Sequence, residues 1–338
     1  MKTSTLIRLL LIILFLVFCV NSVQAEKKEI VKTFKNKTAV TLNTVSGDCV
    51  VRVVKNNQIR VQLIYDYSED CFEPEFIESG STLKLEEHLS GSCRGRSVWK
   101  LFVPEKTEIK FKSASGDFSA TGLKGNVYAS TASGDFELEN IEGQVEIRSA
   151  SGDLEARHIK GSLEVRTASG DLDLEDVSAS IEIRTASGDI EAKKLFGKDI
   201  CIKGASSDIE VEDVRGAMEI KTASGDVEAR EIHITGSSEF KTASGDVFVE
   251  LAKSSDHNLT LASASGDTVL NYNGNAIYGY FEFSAKKDDG EIESPFKFDN
   301  EEIIVKYGQK YMKKSFTRKS KSPKIVIKTA SGKAALEE

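Results

Sequence analysis

Proline is almost missing from this sequence: four residues in 338, against 25 glycines. That scarcity excludes a Pro-rich stalk. Histidine occurs four times, at His88, His158, His233 and His257, with no Ser/His/Asp arrangement that repeats or clusters. No Cys-x-x-Cys and no His–Cys cluster is present, so neither a zinc site nor another metal or cofactor is expected. Basic residues are outnumbered, 45 against 53 acidic, for a formal charge of −8. A net-acidic chain is a poor general nucleic-acid binder, because phosphate contacts need a basic face. What is there is ordinary for a globular protein: 40% hydrophobic and 29% charged residues, unlike a disordered chain.

The one long apolar run is at the start. Lys2 and Arg8 precede the stretch Leu9 to Val20, and Val23-Gln24-Ala25 offers a small-residue cleavage site. This pattern predicts a secretory signal over residues 1–25. The run is shorter than the ~20 residues of a membrane span, so the mature protein is expected to be exported and not integral to the membrane. Cys19 lacks the small preceding residue of a lipoprotein cysteine, since Phe18 stands there. Removing the two leader charges leaves −10. Export permits disulfides. Of Cys49, Cys71, Cys93 and Cys201, the pair Cys71 and Cys93 flanks one irregular segment and is the expected bridge, although four cysteines allow three pairings. Cys201 is expected to be an exposed free thiol and Cys49 a buried one.

The middle of the chain is a repeat. Ser-Gly-Asp begins at Ser115, Ser133, Ser151, Ser169, Ser187, Ser224, Ser244 and Ser265, with a degenerate Ser206-Ser207-Asp208. The central positions are spaced 18, 18, 18, 18, 19, 18, 20 and 21 residues apart. A near-fixed period of this length marks a solenoid. Within a copy, Leu154 and Ala156 alternate, then Ile159, Leu163 and Val165 alternate on the opposite parity. A straight strand cannot change which parity faces inward. Each coil must therefore turn twice, near Arg157-His158 and in Thr167-Ala168-Ser169-Gly170-Asp171. The fold class that follows is all-β: a single-stranded β-helix, or β-solenoid, with coils of about 18 residues. Residues 26–112, with an early Ser46-Gly47-Asp48, read as an N-terminal β cap or irregular first coils. Residues 113–270 are the regular repeats, and residues 271–338 a C-terminal β cap with a basic segment. The alanines Ala114, Ala132, Ala150, Ala168, Ala186, Ala205, Ala223, Ala243 and Ala264 never vary. An inward corner with room only for a methyl group would explain them.

The Thr-Ala-Ser-Gly-Asp-apolar-Glu unit, the early Ser46-Gly47-Asp48 and the closing Lys324-Ile325-Val326-Ile327-Lys328-Thr329-Ala330-Ser331-Gly332 resemble a bacterial family of unknown function, the DUF4097 type of β-strand repeat. Its members carry the provisional name adhesin. The resemblance covers nearly all of the mature chain. It implies a β-helix at the cell envelope and transfers no catalytic residue.

Four features are candidates for function. The aspartate column Asp117, Asp135, Asp153, Asp171, Asp189, Asp208, Asp226, Asp246 and Asp267 is expected to cap turns by accepting from backbone N–H groups. A ladder of cation sites is the alternative, but calcium takes six to eight oxygens and one acid per coil is thin. The hydroxyls Thr131, Thr167, Thr185, Thr222 and Thr242 would suggest ice binding if they faced out, whereas parity turns Thr185 inward with Ile181 and Ile183. Opposite charges form neighbouring columns, Glu146, Glu164, Glu182, Glu219 and Glu239 beside Arg148, Arg166, Arg184, Lys203, Lys221 and Lys241. These read as a solubilising surface or a flat ionic face for glycan or protein. Finally, ten positive charges and no acid lie between Glu302 and Glu337. Lys313, Lys314, Arg318 and Lys319 are the expected contacts to an anionic polymer.

The expected function is non-catalytic: an adhesin-like or interaction scaffold at the bacterial envelope, periplasmic or on the cell surface, with an envelope glycan, anionic polymer or protein as partner. A polysaccharide-active β-helix enzyme is one alternative, though its cleft requires an irregular coil that uniform repeats do not supply. An envelope-stress regulatory binding protein is another.

Overall fold

The computed structural model describes residues 27–306 and 308–338. The leader expected over residues 1–25 lies outside them. Every regular element among the described residues is a strand. The N-terminal part holds β1 (Lys28–Lys35), β2 (Ala39–Asn43), β3 (Asp48–Val53), β4 (Gln58–Tyr65), β5 (Phe72–Ser79), β6 (Thr82–Leu89), β7 (Ser97–Val103), β8 (Glu108–Lys112) and β9 (Phe118–Thr121). The repeats hold β10 (Val127–Thr131), β11 (Phe136–Ser149), β12 (Leu154–Thr167), β13 (Leu172–Thr185), β14 (Ile190–Lys203), β15 (Ile209–Lys221), β16 (Val227–Ile234), β17 (Ser238–Lys241), β18 (Val247–Leu251), β19 (Leu259–Ala262) and β20 (Thr268–Asn271). The C-terminal part holds β21 (Gly279–Lys286), β22 (Gly290–Glu293), β23 (Asn300–Lys306), β24 (Gln309–Arg318), β25 (Lys324–Lys328) and β26 (Gly332–Glu337).

The structure is the expected β-solenoid, and the two corners have a clear basis. In β12, Leu154 and Ala156 are buried, and Ile159, Leu163 and Val165 are buried on the other parity. The switch falls at His158, whose φ is 57°. Asn140, Asp176, Lys194, Asp213 and Glu231 repeat this left-handed conformation in the other coils. Each inserts one backward-bent residue, which moves the next apolar side chain to the inside without breaking the strand pairing. The second corner needs glycine for two reasons. Gly170 has φ 126°, and a Cβ there would collide with the carbonyl of Gly152 in the preceding coil. Stacking is parallel and sets like on like: Leu154 faces Leu172, Ile159 faces Val177, Leu163 faces Ile181 and Val165 faces Ile183. The register slips around Leu195–Asp199, where the 19-residue spacing adds one residue, and again between Ala229 and Ile232 of β16. One core of leucine, isoleucine, valine and alanine runs down the axis.

The alanine column faces outward, against expectation. Ala114, Ala132, Ala150, Ala168, Ala186, Ala205, Ala223, Ala243 and Ala264 are all exposed. The strand alternation continues one residue further than assumed, so the preceding hydroxyl residue points in and the alanine points out. Thr131, Thr185, Thr222 and Thr242 are each 7% exposed. Where they are bonded, these hydroxyls close the turn from within: Thr185 Oγ1 donates to the Ser187 carbonyl at 2.7 Å and Thr222 Oγ1 to that of Ser224 at 3.0 Å.

Both ends are built by insertion. β2 and β3, carrying Ser46-Gly47-Asp48, are not an outer coil. β2 pairs with β6 and β8, and β3 with β7 and β9. At the far end β25 pairs with β19 and β21, and β26 with β20 and β22. Each terminal coil is thus gripped between two others. Antiparallel strands finish the ends: β4 on β7, β1 on β4, β5 on β6, and then β24 on β21 and β23 on β24. Near the N-terminal end the buried Glu87 accepts from Trp99 Nε1 at 2.6 Å, from the Ser97 hydroxyl and from the Val45 N–H at 3.2 Å. It ties the inserted coil to its cap. Cys71 and Cys93 are joined in a disulfide, with Cα atoms 5.7 Å apart. At the C-terminal end Phe281, Phe283, Phe296, Phe298 and Phe316 pack as an aromatic plug.

Candidate functional site: an acidic face along the solenoid

The aspartates form one continuous ladder along the Ser-Gly-Asp corner. Each carboxylate accepts from the backbone N–H of the equivalent residue in the next coil, one level away, and not from its own turn. Asp117 Oδ1 takes the Asp135 N–H at 3.0 Å, Asp153 that of Asp171 at 2.9 Å, and Asp208 that of Asp226 at 2.8 Å. The same bond runs through Asp135, Asp171, Asp189, Asp226 and Asp246. It starts at Asp48, which the motif at 46–48 supplies, and ends where Asp267 accepts from Lys333. Asp208 keeps its rung although its glycine has become Ser207. The rungs are the reason: the side chain links coils, so it is needed wherever coils stack. Desolvation by burial raises the pKa of Asp48, against the lowering effect of the Asp117 N–H.

Two residues along, on the outer face of the same strands, a second acidic column runs parallel: Glu137, Glu155, Asp173, Glu191, Glu210 and Glu228. Between the columns lies a shallow groove. A cavity of about 590 Å³ runs along the ladder aspartates Asp117, Asp135, Asp153, Asp171 and Asp189 and the second column, over strands whose Phe118, Phe136, Leu154 and Leu172 are buried in the core. A further 360 Å³ extends it along Asp208, Glu210, Asp226 and Glu228. Glu191 is paired with Lys193 at 2.6 Å, and Glu155 and Glu228 with Arg157 and Arg230. No aspartate of the ladder is in an ion pair with lysine or arginine among the described residues. One long side is therefore strongly negative, at the ~4.8 Å spacing of stacked strands.

The opposite-charge columns on the adjoining side are neutralised. Glu146 meets Arg148 at 2.7 Å, Glu164 meets Arg166 at 2.9 Å and Glu182 meets Arg184 at 2.9 Å. Glu219 lies between Lys203 at 2.9 Å and Lys221 at 2.7 Å. Hydrogen bonds from Lys221 and Lys203 hold its carboxyl at about 2. Cys201 replaces the glutamate of this column, half-buried and free, with Sγ 3.7 Å from Glu219. Burial pushes its thiol up, and likewise that of Cys49, which is fully inside.

The basic segment is less bare than its sequence. Lys313 reaches Glu282 and Glu302 at 3.7 and 3.4 Å, and Lys314 reaches Glu301 at 3.1 Å. Arg318 lies over the Phe296 ring at 3.9 Å, and Lys319 is exposed. The acids come from neighbouring strands outside the 303–336 window, so sequence proximity concealed them. Sequence reasoning also missed a cluster in which Glu75, Glu86 and His88 bring ligand atoms within 4.8 Å of one another. It exists because β5 and β6 set Glu75 opposite Glu86. Lys84 at 2.8 Å and Asn43 at 3.2 Å already hold Glu86.

A family model described as Toastrack DUF4097 matches residues 94–199 and 196–289. The chain belongs to this family. None of the curated proteins matches it. Among solved structures it is similar to a protein of Clostridium sporogenes ATCC 15579 provisionally named a cell adhesion protein, with 11% identity, 92% of this chain and 99% of that one covered, and a TM-score of 0.25. It is similar also to a provisionally named lipid binding protein of Parabacteroides distasonis ATCC 8503, with 12% identity, 93% and 98% covered, and a TM-score of 0.37. A provisionally named adhesin of Bacteroides fragilis NCTC 9343 gives 10% identity, 92% and 98% covered, and a TM-score of 0.28. No helix among the described residues is long and apolar enough to cross a membrane.

Proposed function

We propose that this Toastrack chain is an exported, non-catalytic interaction scaffold of the bacterial cell envelope, adhesin-like in that it holds an extended partner along its length. The observation that carries the reading is the acidic face, two parallel carboxylate columns that repeat coil after coil beside a shallow groove. Repetition at a fixed spacing suits a long, repeating partner, because many weak contacts in register add up. The charge selects a cationic polymer or a basic protein segment. A cleft for bond cleavage would need a coil that departs from its neighbours, whereas these coils stack residue on residue.

The basic segment supports a second, weaker reading, docking on anionic envelope polymer through Lys313, Lys314, Arg318 and Lys319. Acids and an aromatic ring already engage three of the four. The deciding experiment is retention of the purified protein on envelope fractions over a salt gradient. Three proteins are compared: the parent, an acidic-face variant (Asp153→Asn, Glu155→Gln, Asp171→Asn, Asp173→Asn) and a basic variant (Lys313→Gln, Lys314→Gln, Arg318→Gln, Lys319→Gln). Salt-sensitive retention lost only in the acidic-face variant supports the scaffold reading. Loss only in the basic variant moves the function to the C-terminal end. Turnover of an envelope polysaccharide by the parent overturns both.

A further inference from the structure

The solenoid leaves four strands with a single partner among the described residues, β1, β5, β22 and β23. Three of these edges are guarded. β1 carries Lys28, Lys32 and Lys35; β5 carries Glu73, Pro74, Glu75 and Glu78; β22 has four residues and carries Glu291 and Glu293. Charge, proline and brevity are the means by which natural sheets keep an edge from pairing with another chain. β23 lacks all three over its centre, Ile303-Ile304-Val305. Ile303 is 55% exposed and Val305 67%, more than any other large apolar residue described. Both share a face with Met312 and Phe316 of β24, which is the core-facing side of the sheet, yet nothing among the described residues covers them.

We propose that β23 is a homodimer interface, in which two copies pair antiparallel about a two-fold axis at Ile304. The backbone has the right polarity. The Lys310 carbonyl is used on the β21 side, where it accepts from Lys287. Alternation along β24 then turns Gln309, Tyr311 and Lys313 toward β23, and their partners Lys306, Ile304 and Glu302 are bonded inward. Glu301, Ile303 and Val305 direct their N–H and C=O groups to the open side.

Pairing about Ile304 uses those free groups and matches side chains. Ile303 falls opposite Val305 of the second copy, twice, so the two most exposed apolar residues cover each other. On the other face Glu302 falls opposite Lys306 of the second copy. Moving the axis to Ile303 sets Glu301 against Val305, and moving it to Glu302 sets Glu302 against itself. Of these three registers, only that about Ile304 makes Glu302-Ile303-Ile304-Val305-Lys306 complementary to its own reverse. Because the axis is two-fold, the contact closes as a dimer and does not propagate into a filament.

Sedimentation equilibrium of the purified protein over a wide concentration range tests this. The parent is expected at twice the chain mass and the Ile303→Lys/Val305→Lys variant at the chain mass, with the same thermal melt. The register has its own test. Ile304→Cys in a Cys201→Ser background should cross-link to itself on oxidation, because opposed residues in a non-hydrogen-bonded pair have Cα atoms ~4.5 Å apart, within disulfide reach. A monomeric parent, a dimer unaffected by the double lysine variant, or a dimer that fails to cross-link at position 304 overturns the proposal.

Discussion

Ala186 and Leu172 show how burial, and not invariance along the repeat, sets the importance of a residue. Ala186 is exposed at the outer side of the Ser-Gly-Asp corner, whereas Leu172 is 2% exposed in the axial core. Replacing Ala186 by Leu is expected to change stability by less than about 0.5 kcal/mol, as for surface sites generally. Leu172→Ala should cost about 2–5 kcal/mol, since it opens a cavity between two coils. Urea unfolding of the two variants compares them directly. Asp171 is subject to opposing effects. Its carboxylate bonds the Asp189 N–H at 2.9 Å but stands one coil from two like charges. Asp171→Asn keeps an acceptor oxygen and removes the charge, so it should melt no lower than the parent at low salt. Asp171→Ala loses the rung and should lose about 0.5–1.5 kcal/mol. An Asn variant that melts well below the parent would mean that bound cations neutralise the column.

At the scale of the coil, the strands are held by charge as well as by the core. Glu219 joins three coils through Lys203, Lys221 and, by way of Lys221, Glu239. Its carboxyl is held at about 2, below the ordinary 4.5. A depressed native value contributes stability above the unfolded value, and that contribution is lost as pH falls from about 4.5 toward 2. The parent should therefore lose stability across this window more steeply than Glu219→Gln, as followed by thermal melts at successive pH values. Parallel profiles would show that the three-coil network adds nothing to folding. The contribution is modest in any case, because the side chain is 40% exposed and water screens it.

For the whole molecule, the ends decide cooperativity. A solenoid folds from nearest-neighbour contacts and frays from its termini. Here the terminal coils are locked inside, β2–β3 between β6–β7 and β8–β9, and β25–β26 between β19–β20 and β21–β22. The Cys71–Cys93 bridge closes a loop with a sequence separation of 22 in the N-terminal cap. Reduction should remove about 3 kcal/mol by the loop-entropy argument. Hydrogen exchange should place the loosening in β5 and β6 and leave β12 to β15 protected. Uniform loosening along the rod would mean that the N-terminal cap and the repeats unfold as one unit.

What the sequence determined by itself was periodic, the direction of the alanine column excepted. The coil length, the two corners, the inward columns and the 19-residue irregularity follow from local alternation and the Ser-Gly-Asp spacing, because a repeat presents the same local problem many times. The family resemblance was legible for the same reason. Only the tertiary structure decided what depends on residues far apart in the chain. The outward alanines turned on one residue more of alternation before the corner. The partner of each aspartate lies one coil away, and the acids that neutralise Lys313 and Lys314 lie across an antiparallel pairing. The burial of both terminal coils rests on pairings such as Ala39 with Thr82 and Leu261 with Ile327, across chain separations that carry no periodic signal. Which strands keep a single partner among the described residues, β23 being one of four, is settled only once the others have found their neighbours.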